Sequence, residues 1–167
     1  MDKILVGLLT GRVQIMSNST RNKCKARIFD VDGTLCNVSS IRHFVSGDNR
    51  NFDVFHRESV NCPPHLYVVK AAQESETEGI APLIVTARQA LYRNVTAFWL
   101  AMHDVPSEAL YMRATGDTRP DYEVKKDILA RIRIRYDVIE AWDDNPNVIQ
   151  LWREENIPTI LVPGWED

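Results

Sequence analysis

Four aspartates stand in two close pairs in this chain, Asp30 with Asp32 in "IFDVDGTL" and Asp143 with Asp144 in "AWDDNP". Positions two apart in a strand point to the same face, so Asp30 and Asp32 present their carboxylates side by side. Crowded carboxylates repel, and one pKa must rise unless a cation neutralises them. Mg²⁺ suits such a set, being a hard ion held by one or two carboxylates together with substrate phosphate oxygens. A single Asp at a helix start would instead read as an N-cap. Here Asn145 followed by Pro146 already supplies a cap and a first helical proline, which leaves Asp143 and Asp144 for other work.

Groups suited to phosphate accompany them. Thr86, in "LIVTAR", reads either as an ordinary strand-end threonine or as a hydroxyl at a helix start, where the following amides make an anion site. Arg88 is a candidate phosphate clamp, because a guanidinium matches phosphate oxygens at two points. In "DYEVKKDILARIRIR", Val124, Ile128, Leu129 and Ile132 form an inward stripe at helical spacing. Lys125 falls inside that stripe and Lys126 outside it. Lys125 either snorkels or neutralises phosphate, and Asp121 is spaced for an i,i+4 pair with it. The histidines (His43, His56, His65, His103) lack metal-ligand spacing and read as structural, although His56 with Arg57 could face the same rim from a loop.

The elements that must position these groups follow from the apolar runs. Five short buried strands are expected, at 26–29, 83–85, 109–112, 138–142 and 159–162. Helical periodicity is expected over 66–78, 89–103, 121–135 and 147–155. Strands alternating with helices imply a parallel sheet covered on both faces. In such sheets ligands bind beyond the carboxyl ends of the strands. Four consecutive strand ends carry Asp30 and Asp32, Thr86 and Arg88, Arg113, and Asp143 with Asp144. Residues 36–65 read as a long loop, with at most a small hairpin, too short for a separate cap domain.

With 167 residues, 44% hydrophobic and 26% charged, the chain reads as one soluble domain. A formal charge of −3 excludes a global basic field, although the stretch 125–135 is locally basic. Three cysteines without CxxC spacing suggest reduced thiols and a cytoplasmic protein. No apolar run is long enough for a transmembrane helix, and no membrane partner is expected. Residues 1–20 read as an N-terminal extension, with Met16 an alternative start, and 21–167 as the single domain.

"DVDGTL", Thr86 in "VTAR", Lys125 and "WDD" together resemble, in order, the four motifs of the haloacid-dehalogenase-like (HAD) phosphatases. A narrower likeness lies in "RATGDTRPDYEVKKDIL" followed by "AWDDNPNVIQLWREENIP". These are similar to the 3′-phosphatase domain of phage polynucleotide kinase–phosphatase, and the match carries over to Arg113, Asp117, Arg119, Asp121, Lys125, Asp143 and Asp144. The family's loop arginine is matched loosely by Arg50. The absence of a GxxxxGK[ST] loop implies that any kinase activity is missing here or resides on another chain.

The resemblance implies a three-layer α/β/α Rossmann-like fold with a five-stranded, mostly parallel sheet and no large cap. It also implies two-step phosphoryl transfer. Asp30 would be the nucleophile and Asp32 the acid–base. Mg²⁺ would bridge Asp30, the Asp32 carbonyl and one of Asp143 and Asp144, with Asp144 preferred. Thr86, Arg88 and Lys125 would balance charge on the transferring group, and Asp121, with Asp143 as a second candidate, would hold Lys125. Arg113, Arg119, Asp121, Gly33 and Thr34 would shape the substrate site, Gly33 because a side chain there would crowd the turn. The expected substrates are nucleic-acid 3′ ends, of DNA or RNA, in end repair beside a separate kinase or ligase. A nucleotidase or general phosphomonoesterase is the alternative, and a phospho-accepting signalling module the second.

Overall fold

The computed structural model of the chain describes residues 23–164, so the expected extension and its Met16 start lie outside the described residues. Five strands form one sheet: β1 (Cys24–Phe29), β2 (Ala81–Gln89), β3 (Ala109–Arg113), β4 (Tyr136–Asp143) and β5 (Thr159–Leu161). Their order is β3-β2-β1-β4-β5, and every pair is parallel. The helices are α1 (Phe52–Glu58), α2 (Leu66–Thr77), α3 (Arg93–Met102), α4 (Asp121–Ile132) and α5 (Pro146–Glu154).

Alternation along the strands divides the core in two. Phe29 and Ile84 face Val68, Val69 and Ala72 of α2 and Trp99 and Leu100 of α3. Ile28, Leu83 and Val85 face Val124, Ile128 and Leu129 of α4 and Val148, Leu151 and Trp152 of α5. Both faces are thus covered, which is why these strands read as apolar runs rather than as alternating patterns. Each fully buried Ile or Leu contributes roughly 1.5–3 kcal/mol. The architecture is the three-layer α/β/α arrangement that the sequence pattern implies.

Three expected elements differ, one of them the helix expected over 121–135, which stops at Ile132 and gives way to a turn. The helix expected from residue 89 begins at Arg93, because β2 runs on to Gln89 through a register shift beyond Thr86 and a 3₁₀ turn (Ala90–Tyr92) intervenes. The stretch 36–65 contains no hairpin among its described elements. It carries α1 between two 3₁₀ turns, with Asn51 accepting from the Val54 amide as its N-cap. Seven residues are too few to display a helical period, so the cap was its only sequence signal. At the other end, α5 starts as expected: Pro146 is its first residue, and the Asn145 side chain accepts from the Asn147 amide.

Candidate active site

β1 is central, and it delivers Asp30 to the carboxyl rim between its two neighbours. The Asp30 amide donates to the Trp142 carbonyl of β4 at 3.0 Å, which sets Asp30 beside Asp143 at the end of that strand. From across the sheet face, the first turn of α4 sends Lys125 between them. Its Nζ donates to Asp30 Oδ1 and to Asp143 Oδ2, at 2.7 Å each. Lys125 is 2% exposed, so it does not snorkel. Burial opposes its charge, but Asp143 and Asp30 outweigh that and hold its pKa above the usual lysine value. Asp143 is further fixed by the Trp152 indole N–H and the Asn145 amide.

Asp121 does not pair with Lys125, contrary to the i,i+4 expectation. The two carboxylates at the rim reach the ammonium first, and Asp121 instead takes the Arg113 guanidinium at 2.5 Å.

Asp30, Asp143 and Asp144 bring ligand oxygens within 4.8 Å of one another, all buried. One lysine cannot balance three carboxylates. Burial, with the carboxylates of Asp143 and Asp144 nearby, pushes Asp30 well above the ordinary range against the pull of Lys125. Burial and Asp143 push Asp144 up to about 7. Asp144 Oδ2 is buried without a hydrogen-bond partner, while Oδ1 accepts from Thr34 at 3.4 Å. An orphaned carboxylate oxygen in an acidic cluster fits a hard divalent cation.

The turn after β1 is shaped to leave Asp144 room. Gly33 has φ +86°, and a Cβ there would meet Asp144 Oδ2 at 1.9 Å. Thr34 is fully buried and touches Asp144, so it positions that carboxylate rather than lining the cleft for substrate.

Arg88 also departs from expectation. Instead of standing open as a clamp, it closes on Asp32 through Nε at 2.8 Å and Nη2 at 2.5 Å, with Nη1 on Thr96. It is 1% exposed, and a buried guanidinium requires such a partner. Burial alone would raise the Asp32 pKa, but the Arg88 fork wins and holds it below the usual carboxylate value. Thr86 is buried at the rim, and its hydroxyl accepts from the Arg88 amide at 3.2 Å. No helix starts there, so the expected helix-end anion site is not formed.

Arg113 staples the loop between β3 and α4. Its guanidinium donates to the carbonyls of Ala87, Asp117 and Arg119 as well as to Asp121. The loop it shapes presents Arg119, which is half exposed and paired with Asp117 and Asp127. Of the two arginines expected to meet substrate, Arg119 has the more open guanidinium.

These groups line one cleft of about 400 Å³. Its opposite wall comes from the stretch after β1 and includes Arg42, Val45, Phe52, Phe55 and His56. Sequence reasoning did not single out Arg42, whereas Arg50, the expected loop arginine, donates to the Gly47 carbonyl on the exposed side and does not line the cleft. No spacing signal distinguished the two. His56 does face the rim, while Arg57 points out to Asp53. The basic run beyond Lys125 does not line the cleft either: α4 carries Arg131 roughly 9 Å further along its axis, and Arg133 and Arg135 lie past its end.

A family model described as the phosphatase domain of the polynucleotide kinase PNKP matches residues 24–163. A protein of Autographa californica nuclear polyhedrosis virus, named as a bifunctional polynucleotide kinase/RNA ligase, is 28% identical over 140 residues, covering 82% of this chain and 19% of the relative. A chain in a Pnkp1/Rnl/Hen1 RNA repair complex is 27% identical with a TM-score of 0.74, over 85% of this chain and 43% of that one. The class C acid phosphatase of Bacillus anthracis shares the fold at 12% identity and a TM-score of 0.64, over 86% of this chain and 68% of that one. The chain thus spans about a fifth of the viral relative and under half of the repair-complex chain.

Proposed function

Because this chain belongs to the phosphatase-domain family of polynucleotide kinase PNKP, a HAD-type family of phosphomonoesterases, we propose that it removes 3′-phosphates from nucleic-acid ends through an aspartyl-phosphate on Asp30. The observation that carries the reading is the buried cluster in which Lys125 bridges Asp30 and Asp143 while Asp144 keeps an orphaned oxygen.

In the first step an Asp30 carboxylate oxygen attacks phosphorus, and the bond from phosphorus to the 3′ oxygen breaks. Asp32 gives a proton to the leaving 3′ oxygen. In the second step Asp32, now a base, takes a proton from water, which attacks phosphorus and frees Asp30 and inorganic phosphate. Lys125 balances charge on the Asp30 side throughout.

The Arg88 fork has a role in both steps. It keeps Asp32 ionised, the form that hydrolysis needs. To act as an acid, Asp32 must leave the fork, and an arriving phosphate competes for the same guanidinium. Freed of Arg88, the partly buried Asp32 carboxyl rises in pKa and takes up a solvent proton.

Asp30, the Asp32 carbonyl and Asp144 would hold Mg²⁺, which supplies positive charge against the phosphate oxygens. The relatives named for kinase, ligase and repair assemblies favour nucleic-acid ends as substrates, with the kinase or ligase supplied elsewhere.

The test is phosphate release from a 3′-phosphorylated oligonucleotide, its 5′-phosphorylated counterpart and a 3′-mononucleotide, with Mg²⁺ and with chelator. Release is expected from the 3′ oligonucleotide with Mg²⁺ and is lost in Asp30→Asn. Comparable kcat/KM on the mononucleotide would mean a small-molecule phosphatase instead. A stable phosphoaspartate without turnover would mean a phospho-accepting module.

A further inference from the structure

His56 lines the cleft but takes no part in the chemistry above. It is 8% exposed, and its Nδ1 is buried without a hydrogen-bond partner. Packing fixes the ring: its centroid lies 4.6 Å from that of Tyr92 and 5.2 Å, edge-on, from that of Phe55. Tyr92 is itself held by a 2.9 Å hydrogen bond to Asp53 of α1. Its charged neighbours include Asp32 and Arg88, and burial lowers its own pKa to about 4, so at neutral pH it is an uncharged imidazole. Such a ring offers one donor and one acceptor. A buried ring nitrogen without a partner, on a ring with Asp32 among its charged neighbours, calls for an explanation.

The substrate supplies one. While Asp32 protonates the 3′ oxygen, the 2′ position lies on the adjacent ribose carbon, within one hydrogen-bond length of that oxygen. Nearby, Arg88 is engaged with Asp32 and Thr96, the Thr86 hydroxyl oxygen accepts from the Arg88 amide, and the Gln89 side-chain oxygen accepts from the Gly116 amide. We propose that His56 hydrogen-bonds the 2′-hydroxyl of the terminal nucleotide, so that the cleft favours 3′-phosphate ends of RNA over those of DNA. The 2′-hydroxyl is both donor and acceptor, and it is the group by which a protein tells RNA from DNA. The inference rests on the 3′-phosphatase reading and deepens it.

The experiment uses two RNA strands, both 3′-phosphorylated and differing only in a ribo- or 2′-deoxy terminal nucleotide. The protein is tested with Mg²⁺ as wild type, His56→Phe and His56→Asn. Wild type is expected to favour the ribo end in kcat/KM by about tenfold, the size of one good hydrogen bond. His56→Phe, which keeps an aromatic ring in the packing, is expected to lose that preference by slowing the ribo substrate alone. His56→Asn, with a donor and acceptor of its own, is expected to recover part of it. Equal wild-type rates on the two ends would overturn the proposal even if the variants failed to fold. So would an equal loss on both substrates in His56→Phe, which is what a purely structural histidine would give. Release from neither strand by wild type would instead remove the 3′-phosphatase reading on which the proposal stands.

Discussion

Gly33 and Asp144 compete for one space: a Cβ on Gly33 would stand 1.9 Å from Asp144 Oδ2 and 2.6 Å from its Cγ. The glycine of "DGT" is therefore a condition for the second acidic pair and not merely a turn residue. Its φ of +86° adds backbone strain to any replacement.

Gly33→Ala is expected to displace the Asp144 carboxylate and to cost stability by at least about 1 kcal/mol, since Ala is strained at positive φ. Activity should fall by at least about a hundredfold, as misplacement near the reacting centre commonly costs that much. Urea unfolding midpoints and Mg²⁺ titrations of the variant read the two effects separately. Unchanged Mg²⁺ affinity would mean that Asp144 does not hold the ion.

On the proposed Mg²⁺ reading, Asp144 couples metal binding to pH. An unfolded carboxyl titrates near ~3.9, whereas folding pushes Asp144 up to about 7. Between these values the folded chain keeps a proton that the unfolded chain has released, so raising the pH favours unfolding across that window. Mg²⁺ needs the ionised form and should reverse the loss. Its upshift of the melting temperature is expected to be larger at pH 8 than at pH 5.5, by differential scanning fluorimetry. An equal upshift at both would detach Asp144 from the ion.

Arg88→Lys keeps the charge but loses the fork on Asp32. The depressed Asp32 pKa should then rise, and the acid limb of the kcat profile should move to higher pH. The pair's contribution to stability is present above the unfolded value near ~3.9 and is lost as pH falls through the lower folded value. The variant's deficit is therefore expected at neutral pH and should shrink in acid, as read by urea unfolding at each pH. A pH profile identical to wild type would show that Arg88 does not set the state of Asp32.

Arg113→Ala removes four donated hydrogen bonds at once. Destabilisation on the order of 2–3 kcal/mol is expected, given that bonds to a charged group are worth more than neutral ones. KM for the 3′-phosphorylated oligonucleotide should rise as the loop loosens. Arg119→Ala, in contrast, should leave the melting temperature in place and weaken oligonucleotide binding, most visibly at low salt. A melting temperature lowered more by Arg119→Ala than by Arg113→Ala would reverse these assignments.

The parallel sheet and the gathering of Asp30, Asp143 and Asp144 at one rim were legible because strand ends and apolar runs are local signals, whereas the central place of β1 was not, since strand order is not local. Lys125 was legible too, as a cation interrupting an apolar stripe. What sequence could not supply was the direction of each guanidinium. Arg88 and Arg113 end strands as phosphate-binding arginines would, but burial forces them to satisfy their donors within the protein, on Asp32 and on the 113–121 loop. The pairing of Asp121 failed for the same reason: helical spacing permits a partner, and the nearest buried charge decides. Of the wall after β1, only His56 was legible at the rim; Arg42 carried no spacing signal, and α1 is too short to show a period.

The place of β1 between β2 and β4 also dictates when the site can exist during synthesis. Ala26–Phe29 emerge before both neighbours, so one edge of β1 must wait for Ala81–Ile84 and the other for Val138–Trp142. Until β4 has left the ribosome, Asp30 lacks both its amide's acceptor, Trp142, and its companion, Asp143. Asp30, the proposed nucleophile, is therefore made before the groups that surround it. Parallel pairings this distant in sequence also close slowly. The proposed catalytic centre thus forms only once β4 is made: a chain released before β4 would present a bare sheet edge to chaperones and proteases rather than a weakened site.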